Sequence, residues 1–314
     1  QYNQGSPPQP QPPPQQPYAP APPMAPQYGG YAPTQPQQPP PQQQWQQPPQ
    51  PDAPPAPAPA PAAPEAPKEP EEDIEKKDYE GNTPIINAAK EGKTAEVKRL
   101  IEKKANLNAK NNDERTALML AAEGGKLGAA EALMEAKCDV DAQTSMAKKG
   151  ETALMIAAKK DQLEMVKTLL AKKASPNVQS QKGWTPLMYS ALNGKSDLVV
   201  ALLKSKADCN LKHEDNHMTA LNMACSDVKN QAIVEVLLMM KANPNHVDKN
   251  GLTPLMTAAS SNSPVSITQL LKNGANHAYK NPQGQTALMV AKAGRHDAAT
   301  KILATKEPGC CVIH

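Results

Sequence analysis

A seven-residue phrase recurs seven times in this chain at a nearly constant interval. Each copy begins with Thr, continues with Pro or Ala and an aliphatic residue, and in most copies ends with two small residues. Such a period indicates stacked supersecondary units, because each unit buries its apolar face only against its neighbours. The copies start 33 to 36 residues apart, at Thr83, Thr116, Thr152, Thr185, Thr219, Thr253 and Thr286.

The remainder of each unit follows one plan. The phrase predicts a short inner helix, and its small residues allow neighbouring helices to approach closely. A second apolar pattern follows at helical spacing, as in residues 164–170 of the third unit. A small residue and an Asn, as at Ala105 and Asn106, close the unit, and a polar turn leads to the next Thr. The sequence therefore predicts two helices per unit.

The repeat resembles the ankyrin repeat over about residues 80–307, and the resemblance implies an all-α, ankyrin-type helical repeat solenoid with short β-turn fingers. The family's His in the phrase is replaced by Met in five copies, by Ile86 in the first and by Asn222 in the fifth. Flexible Met packing is expected to replace the contacts of that His. The family's Gly after the second helix is retained only as Gly274. If the other repeats keep the left-handed conformation there, each replacement costs roughly 1 kcal/mol relative to Gly. The replacing residues are Lys104, Lys137, Lys173, Lys206 and Lys241.

Composition divides the chain into four parts. Residues 1–70 hold 27 of the 35 prolines and no Leu, Ile or Val, which predicts a disordered Pro/Gln/Ala-rich tail. This tail is interpreted as a flexible spacer or as a ligand for a Pro-rich-binding domain. Residues 71–79 form an acidic linker, residues 80–307 the solenoid and residues 308–314 a Cys-containing tail.

Charge and cysteine usage restrict the functional classes. Five cysteines without a disulfide-like framework favour a reducing compartment, and no apolar run approaches the roughly 20 residues that span a bilayer. The chain carries a net charge of +3, whereas residues 80–314 alone carry +8, nearly all from dispersed Lys. Without Arg clusters or interleaved aromatic residues, this charge does not indicate nucleic-acid binding.

No catalytic, cofactor, metal or small-molecule site is predicted. The nearest approach to a metal-binding cluster is His213 with Glu214, Asp215 and His217, which is interpreted as a hydrophilic finger tip. No phosphate-binding Gly loop and no nucleophile elbow occur. Three cysteines occupy repeat positions that normally pack in the core, namely Cys138, Cys209 and Cys225.

The resemblance implies that partners bind to a concave face formed by inner helices and fingers. Two positions of each repeat are expected there: the residue before the Thr and the fifth residue of the phrase. Trp184 and Tyr189 of the central repeat are the expected aromatic anchors. The alternative is that such side chains pack along the inner helices as core. The candidate partner-binding residues are Arg115, Leu120, Glu151, Ile156, Trp184, Tyr189, Met218, Met223 and Leu252.

Two loops are longer than the repeat requires. The turn before Thr152 gains three residues near 143–149, and one residue is added near 227–231. Each insertion is interpreted either as a partner contact or as tolerated variation of a loop.

The last four residues, Cys311 to His314, resemble a CaaX prenylation box. The Cys311 thiolate would take the prenyl group and Cys310 a second lipid, and two chains anchor a protein far better than one. His314 departs from the usual final residues, and the alternative is an unmodified tail. The resulting hypothesis is a cytoplasmic, non-enzymatic adaptor held on the cytosolic face of a membrane. The rival hypothesis is a structural component of a cytoskeletal or other large assembly without a lipid.

Overall fold

The computed structural model describes residues 73–305, where fourteen α-helices form seven consecutive pairs and no strand occurs. The predicted helical repeats are thereby confirmed. The inner helices are α1 (Pro84–Glu91), α3 (Ala117–Glu123), α5 (Ala153–Lys159), α7 (Pro186–Leu192), α9 (Ala220–Cys225), α11 (Pro254–Ser260) and α13 (Ala287–Ala293). The outer helices are α2 (Thr94–Glu102), α4 (Leu127–Glu135), α6 (Leu163–Ala171), α8 (Ser196–Lys204), α10 (Gln231–Met239), α12 (Pro264–Lys272) and α14 (Asp297–Ala304).

The predicted disordered tail, the first residues of the acidic linker and the Cys-containing tail lie outside the described residues. The boundaries of these parts therefore stay predictions.

The helices stack in two rows. Each inner helix contacts the next inner helix, each outer helix contacts the next outer helix, and the two helices of a pair contact each other. Helices of six to nine residues are too short to be stable alone. Their stability therefore comes from the apolar core, which runs from Ile85 in the first repeat to Leu303 in the last.

The Thr of the phrase caps the inner helix in six repeats. Its backbone is extended, and its Oγ1 accepts a hydrogen bond from the backbone N–H three residues on, at 3.2 Å from Met188 and up to 3.5 Å from Asn222. In the first repeat, Thr83 Oγ1 has no partner among the described residues. Replacement of such a cap by Ala typically costs about 1 kcal/mol.

The Met that replaces the family's His is buried in four repeats, as expected. Met119, Met155, Met188 and Met256 are no more than 1% exposed. In the last repeat, which has no following neighbour in the described residues, Met289 is 51% exposed.

The second residue after each of the first six outer helices adopts the left-handed conformation, so the strain predicted at the Lys positions is present. Gly274 has φ 84°, and φ lies between 63° and 68° at Lys104, Lys137, Lys173, Lys206 and Lys241. This conformation ends the outer helix and turns the chain into the closing loop.

A side chain in the closing loop of each of the first five repeats holds the next repeat in register. Its oxygen accepts a hydrogen bond from a backbone N–H in the following repeat, with acceptors Asn108, Asp141, Asn177, Asn210 and Asn245 at 2.7 to 2.9 Å. In three of these Asn residues the side-chain NH₂ group also donates to the carbonyl of a left-handed residue. The pairs are Asn177 with Lys206, Asn210 with Lys241 and Asn245 with Gly274.

The single-residue insertion near 227–231 forms a short 3-10 turn, Val228–Asn230. Asn230 is buried, and its amide donates to the carbonyl of Ala191 in the preceding repeat at 3.3 Å. The added turn thus gives a further hydrogen bond between the fourth and fifth repeats.

Replacing Lys173 by Gly is expected to raise the free energy of unfolding by about 0.5–1 kcal/mol. The change relieves left-handed strain, although the greater freedom of Gly in the unfolded chain offsets part of the gain. Urea unfolding monitored by circular dichroism measures the difference.

The matched control is Lys167→Gly within α6, where the helical backbone gives Gly no advantage and stability should fall by about 1 kcal/mol. A loss of stability in both variants would contradict the strain at Lys173.

Candidate partner-binding site

Three rings form a cluster between the fourth and fifth repeats. The rings of Trp184 and Tyr189 are stacked, with centroids 4.6 Å apart and an angle of 13° between their planes. The His213 ring meets Trp184 edge-on at 4.9 Å. Trp184 and Tyr189 are half-buried and His213 is buried, so the stacked pair presents an apolar wall that rests on His213.

A buried carboxylate holds the tyrosine. Glu151 is only 5% exposed, and its Oε1 accepts hydrogen bonds from the Tyr189 hydroxyl at 3.2 Å and from Lys159 Nζ at 3.1 Å. Lys159 Nζ also lies 5.7 Å from the centre of the Tyr189 ring. Burial, together with the Glu151 charge, raises the pKa of Tyr189 well above its ordinary value. The hydroxyl is thus fixed as a proton donor to Glu151.

The three-residue insertion shapes the turn that precedes Thr152, called here the Thr152 finger (residues 139–151). Residues Met146–Lys148 form a short 3-10 turn. The buried Thr144 hydroxyl donates to the carbonyl of Lys148 at 3.1 Å and accepts from the backbone N–H of Glu151 at 2.9 Å. Lys149 then takes a φ of 86°. These bonds make the insertion an ordered structure that carries Lys149 outward, beside Glu151.

The next finger, residues 175–184, is held on both sides and is called here the Thr185 finger. The backbone N–H of Gln181 donates to the carbonyl of Lys149, and that of Glu214 donates to the carbonyl of Lys182, both at 2.9 Å. Gly183 has φ 78°, and a Cβ there would lie 2.8 Å from backbone atoms of Lys212 and Glu214. Lys182 is therefore set on a backbone that is fixed between two neighbouring fingers.

These elements enclose a cavity of about 290 Å³. Its lining includes Trp184, Tyr189 and Glu151, together with three lysines and two polar residues, namely Lys149, Lys159, Lys182, Ser180 and Gln181. A second cavity of about 240 Å³ adjoins it and shares Lys149 and Glu151. Arg115, Lys148 and Asp113 also line that second cavity.

Arg115 takes part in a chain of charges on the same face. Its guanidinium pairs with Glu123, and Lys160 Nζ reaches the other oxygen of that carboxylate at 3.3 Å. In the second and third repeats, the residue before the Thr is thus paired with an opposite charge eight positions later, Arg115 with Glu123 and Glu151 with Lys159. Arg115 is half-buried and remains at the surface.

The structure corrects the expected position of three apolar residues. Leu120, Ile156 and Met223 are 9%, 3% and 2% exposed and belong to the core, because the adjacent inner helices cover this edge of each helix. Met218 and Leu252 pack against the core but stay half-exposed. Of the predicted residues, Trp184, Tyr189 and the buried Glu151 lie together, whereas Arg115 lies in the adjoining cavity.

Sequence reasoning missed Lys149, Lys159, Lys182 and His213 as parts of this site. Lys149 lies in the insertion that was singled out, and the eight-residue spacing from Glu151 indicates Lys159. No local signal joins Lys182 or His213 to Trp184, because their contact depends on how successive fingers stack.

The other candidate features lie elsewhere. Cys138, Cys209 and Cys225 are buried, as expected, and burial raises the pKa of the Cys138 thiol to about 11. Within residues 73–305, no group of three His, Cys, Asp or Glu side chains is placed to hold a metal ion.

None of the helices described there has the length and apolarity to cross a membrane. A groove of about 600 Å³ lies on the outer helices beside Met239 and Val265.

Comparison with known proteins gives one consistent result. A family model described as ankyrin repeats (3 copies) matches residues 67–144, 138–213, 154–248 and 221–312. Among solved structures, the crystal structure of the human ASB11 ankyrin repeat domain is similar, with a TM-score of 0.59 and 26% sequence identity. The match covers 73% of this chain and 100% of that domain. No curated protein matches this sequence.

The substitution Tyr189→Phe should lower the free energy of unfolding by about 1 kcal/mol at neutral pH, because Glu151 loses a hydrogen-bond donor. The difference should shrink as the pH rises above about 10. There the unfolded wild-type chain releases the Tyr189 proton while the folded chain, with its raised pKa, retains it, so the wild type loses stability.

Urea unfolding at several pH values measures this effect, with Tyr279→Phe as the control at a half-buried tyrosine outside the cluster. A difference between wild type and Tyr189→Phe that does not change with pH would contradict the proposed proton linkage.

Proposed function

Because the chain belongs to the ankyrin repeat family, whose repeats generally mediate protein–protein interaction, we propose that it is a non-enzymatic adaptor that binds a protein partner around Trp184 and Tyr189. The observation that carries this proposal is the stacked, half-buried aromatic pair beside an open cavity. Aromatic residues near the centre of an interface typically supply most of its binding energy.

The geometry of the pair favours recognition over a purely structural role. Glu151 fixes Tyr189, His213 supports Trp184, and both rings are already ordered before a partner arrives. A preformed surface loses little side-chain entropy on binding, which increases affinity. Arg115, Met218 and Leu252 stay partly exposed on the repeats on either side, so the proposed surface extends beyond the cavity.

The second part of the proposal concerns attachment. We infer that lipids on Cys311 and Cys310 hold the adaptor on the cytosolic face of a membrane, with the Pro-rich residues 1–70 as spacer or docking segment. Support comes from the CaaX-like sequence and from the +8 charge of residues 80–314, which favours an anionic leaflet. The alternative is a structural component of a large assembly without a lipid. Detergent should release the lipidated adaptor, whereas the assembly component should remain in the insoluble fraction.

The double variant Trp184→Ala/Tyr189→Ala should lose capture of partners from the native cell while it keeps a cooperative thermal melt. Removal of both rings deletes the proposed anchors but leaves the buried residues of α7 in place. Affinity purification with quantitative mass spectrometry measures capture, and circular dichroism measures folding.

The control is Met239→Ala/Val265→Ala, which truncates exposed apolar residues on the outer helices. Partners retained by the aromatic variant, or lost to the same degree by the control, would refute this site.

Protein purified from its native cell should yield a C-terminal peptide whose mass fits a prenyl group on Cys311 and removal of residues 312–314. The Cys311→Ser variant should lack that mass and leave the membrane fraction. An unmodified peptide ending in His314 would refute the lipid anchor and favour the assembly component.

A further inference from the structure

We propose that the partner docks through an acidic peptide segment, which places a carboxylate between Lys149 and Lys182 and an apolar side chain against Trp184. This inference rests on the proposed function and specifies the chemistry of its partner. It also gives the insertion in the Thr152 finger a function, because the insertion supplies Lys149.

The sign of the ligand's charge follows from which groups remain accessible. The only carboxylate in the cavity wall, Glu151, is buried and already has two partners, Tyr189 and Lys159. A basic ligand would meet three ammonium groups and find no accessible acceptor of opposite charge. An acidic ligand meets exposed ammonium groups on both fingers.

Lys149 is the most available of these cations. It is exposed, and within residues 73–305 it forms no ion pair. Its backbone is nevertheless fixed, because its carbonyl accepts the hydrogen bond from Gln181 in the Thr185 finger. Because the backbone is already fixed, an anion bound here has to order only the side chain of Lys149 and not the loop that carries it.

Lys182 provides the second contact to the ligand carboxylate, at little cost in the stability of the fold. Its ammonium lies 3.2 Å from Asp215, but the two side chains are 65% and 60% exposed. Exposed ion pairs contribute little to stability, so Lys182 can exchange Asp215 for a ligand carboxylate without destabilising the fold. The two lysines then flank the mouth of the cavity from adjacent fingers.

The adjoining cavity sets the spacing of a second acidic residue. It is lined by Lys148, Arg115 and Asp113. The ion pair of Lys148 with Asp113 is also exposed, so Lys148 can exchange Asp113 for a ligand carboxylate. Stacked helices lie roughly 8–10 Å apart, and an extended peptide advances about 3.3 Å per residue. A partner that spans both cavities therefore carries acidic residues about three positions apart, with an apolar residue between or beside them.

The experiment is a selection of random twelve-residue peptides displayed on phage, panned against the full chain and against Trp184→Ala/Tyr189→Ala. Peptides that bind the wild type and not the aromatic variant should be rich in Asp and Glu next to apolar residues. If no peptide depends on the aromatic pair, the proposed function and this inference both fail. If dependent peptides are neutral or basic, the function stands and this inference fails.

A synthetic copy of the strongest selected peptide then measures the charge contribution. Lys149→Glu/Lys182→Glu should weaken its binding by about tenfold or more, and added salt should reduce binding to the wild type. The matched control Lys204→Glu/Lys272→Glu makes the same change in net charge on the outer helices α8 and α12 and should leave affinity unchanged. Equal weakening by both variants, or by neither, would overturn the inference.

Discussion

The architecture depends on backbone groups that one repeat exposes and only its neighbour satisfies. At each of the five junctions from the first to the sixth repeat, the side-chain oxygen of an Asn or Asp accepts a hydrogen bond from an N–H of the following repeat at 2.7 to 2.9 Å. Most of these bonds are exposed, so each contributes modestly, but the same bond recurs at every one of these junctions and favours a single register between repeats. Where the acceptor is Asn177, Asn210 or Asn245, its amide also holds the carbonyl of the left-handed residue. The left-handed conformation of Lys206 and Lys241 directs the carbonyl of each residue toward the side-chain amide of Asn177 or Asn210. The hydrogen bond formed there offsets part of the backbone strain.

The candidate site depends on the same register between repeats, because its residues lie on successive fingers. Asp141 cannot donate as Asn177, Asn210 and Asn245 do. At its junction a side-chain amide of the Thr152 finger donates across the repeats, from Gln143 Nε2 to the carbonyl of Gln179 at 3.0 Å. Gln179 repeats the contact one unit on, to the carbonyl of Lys212. Lys149 and Lys182 are consequently held on consecutive fingers whose spacing is fixed by backbone bonds. A surface preorganised in this way binds through rigid elements, and its selectivity follows from the few side chains that differ between repeats.

Much of this fold could be predicted from the sequence, because a helix pattern that is weak in one repeat becomes specific when seven repeats show it at the same spacing. The spacing of seven Thr residues predicted the helix pairs, and the Lys that replaces Gly predicted left-handed strain. Exposure was harder to predict. Leu120 and Tyr189 occupy the same repeat position, yet one is core and the other half-exposed, since burial there depends on which residues the adjacent repeats place over it. The contact between Trp184 and His213 was equally hidden, because it joins residues 29 positions apart through the stacking of fingers.

The methionines of the repeated phrase differ in one further respect. Met119, Met155, Met188 and Met256 are no more than 1% exposed, whereas Met289 is 51% exposed. Peroxide reaches a thioether only where solvent does, and the sulfoxide is polar and poorly suited to a core. Among these five side chains, oxidative damage is therefore directed to the seventh repeat, where it strikes a side chain that the core does not need. The interior of the stack is chemically protected by the same packing that replaced the family's histidine.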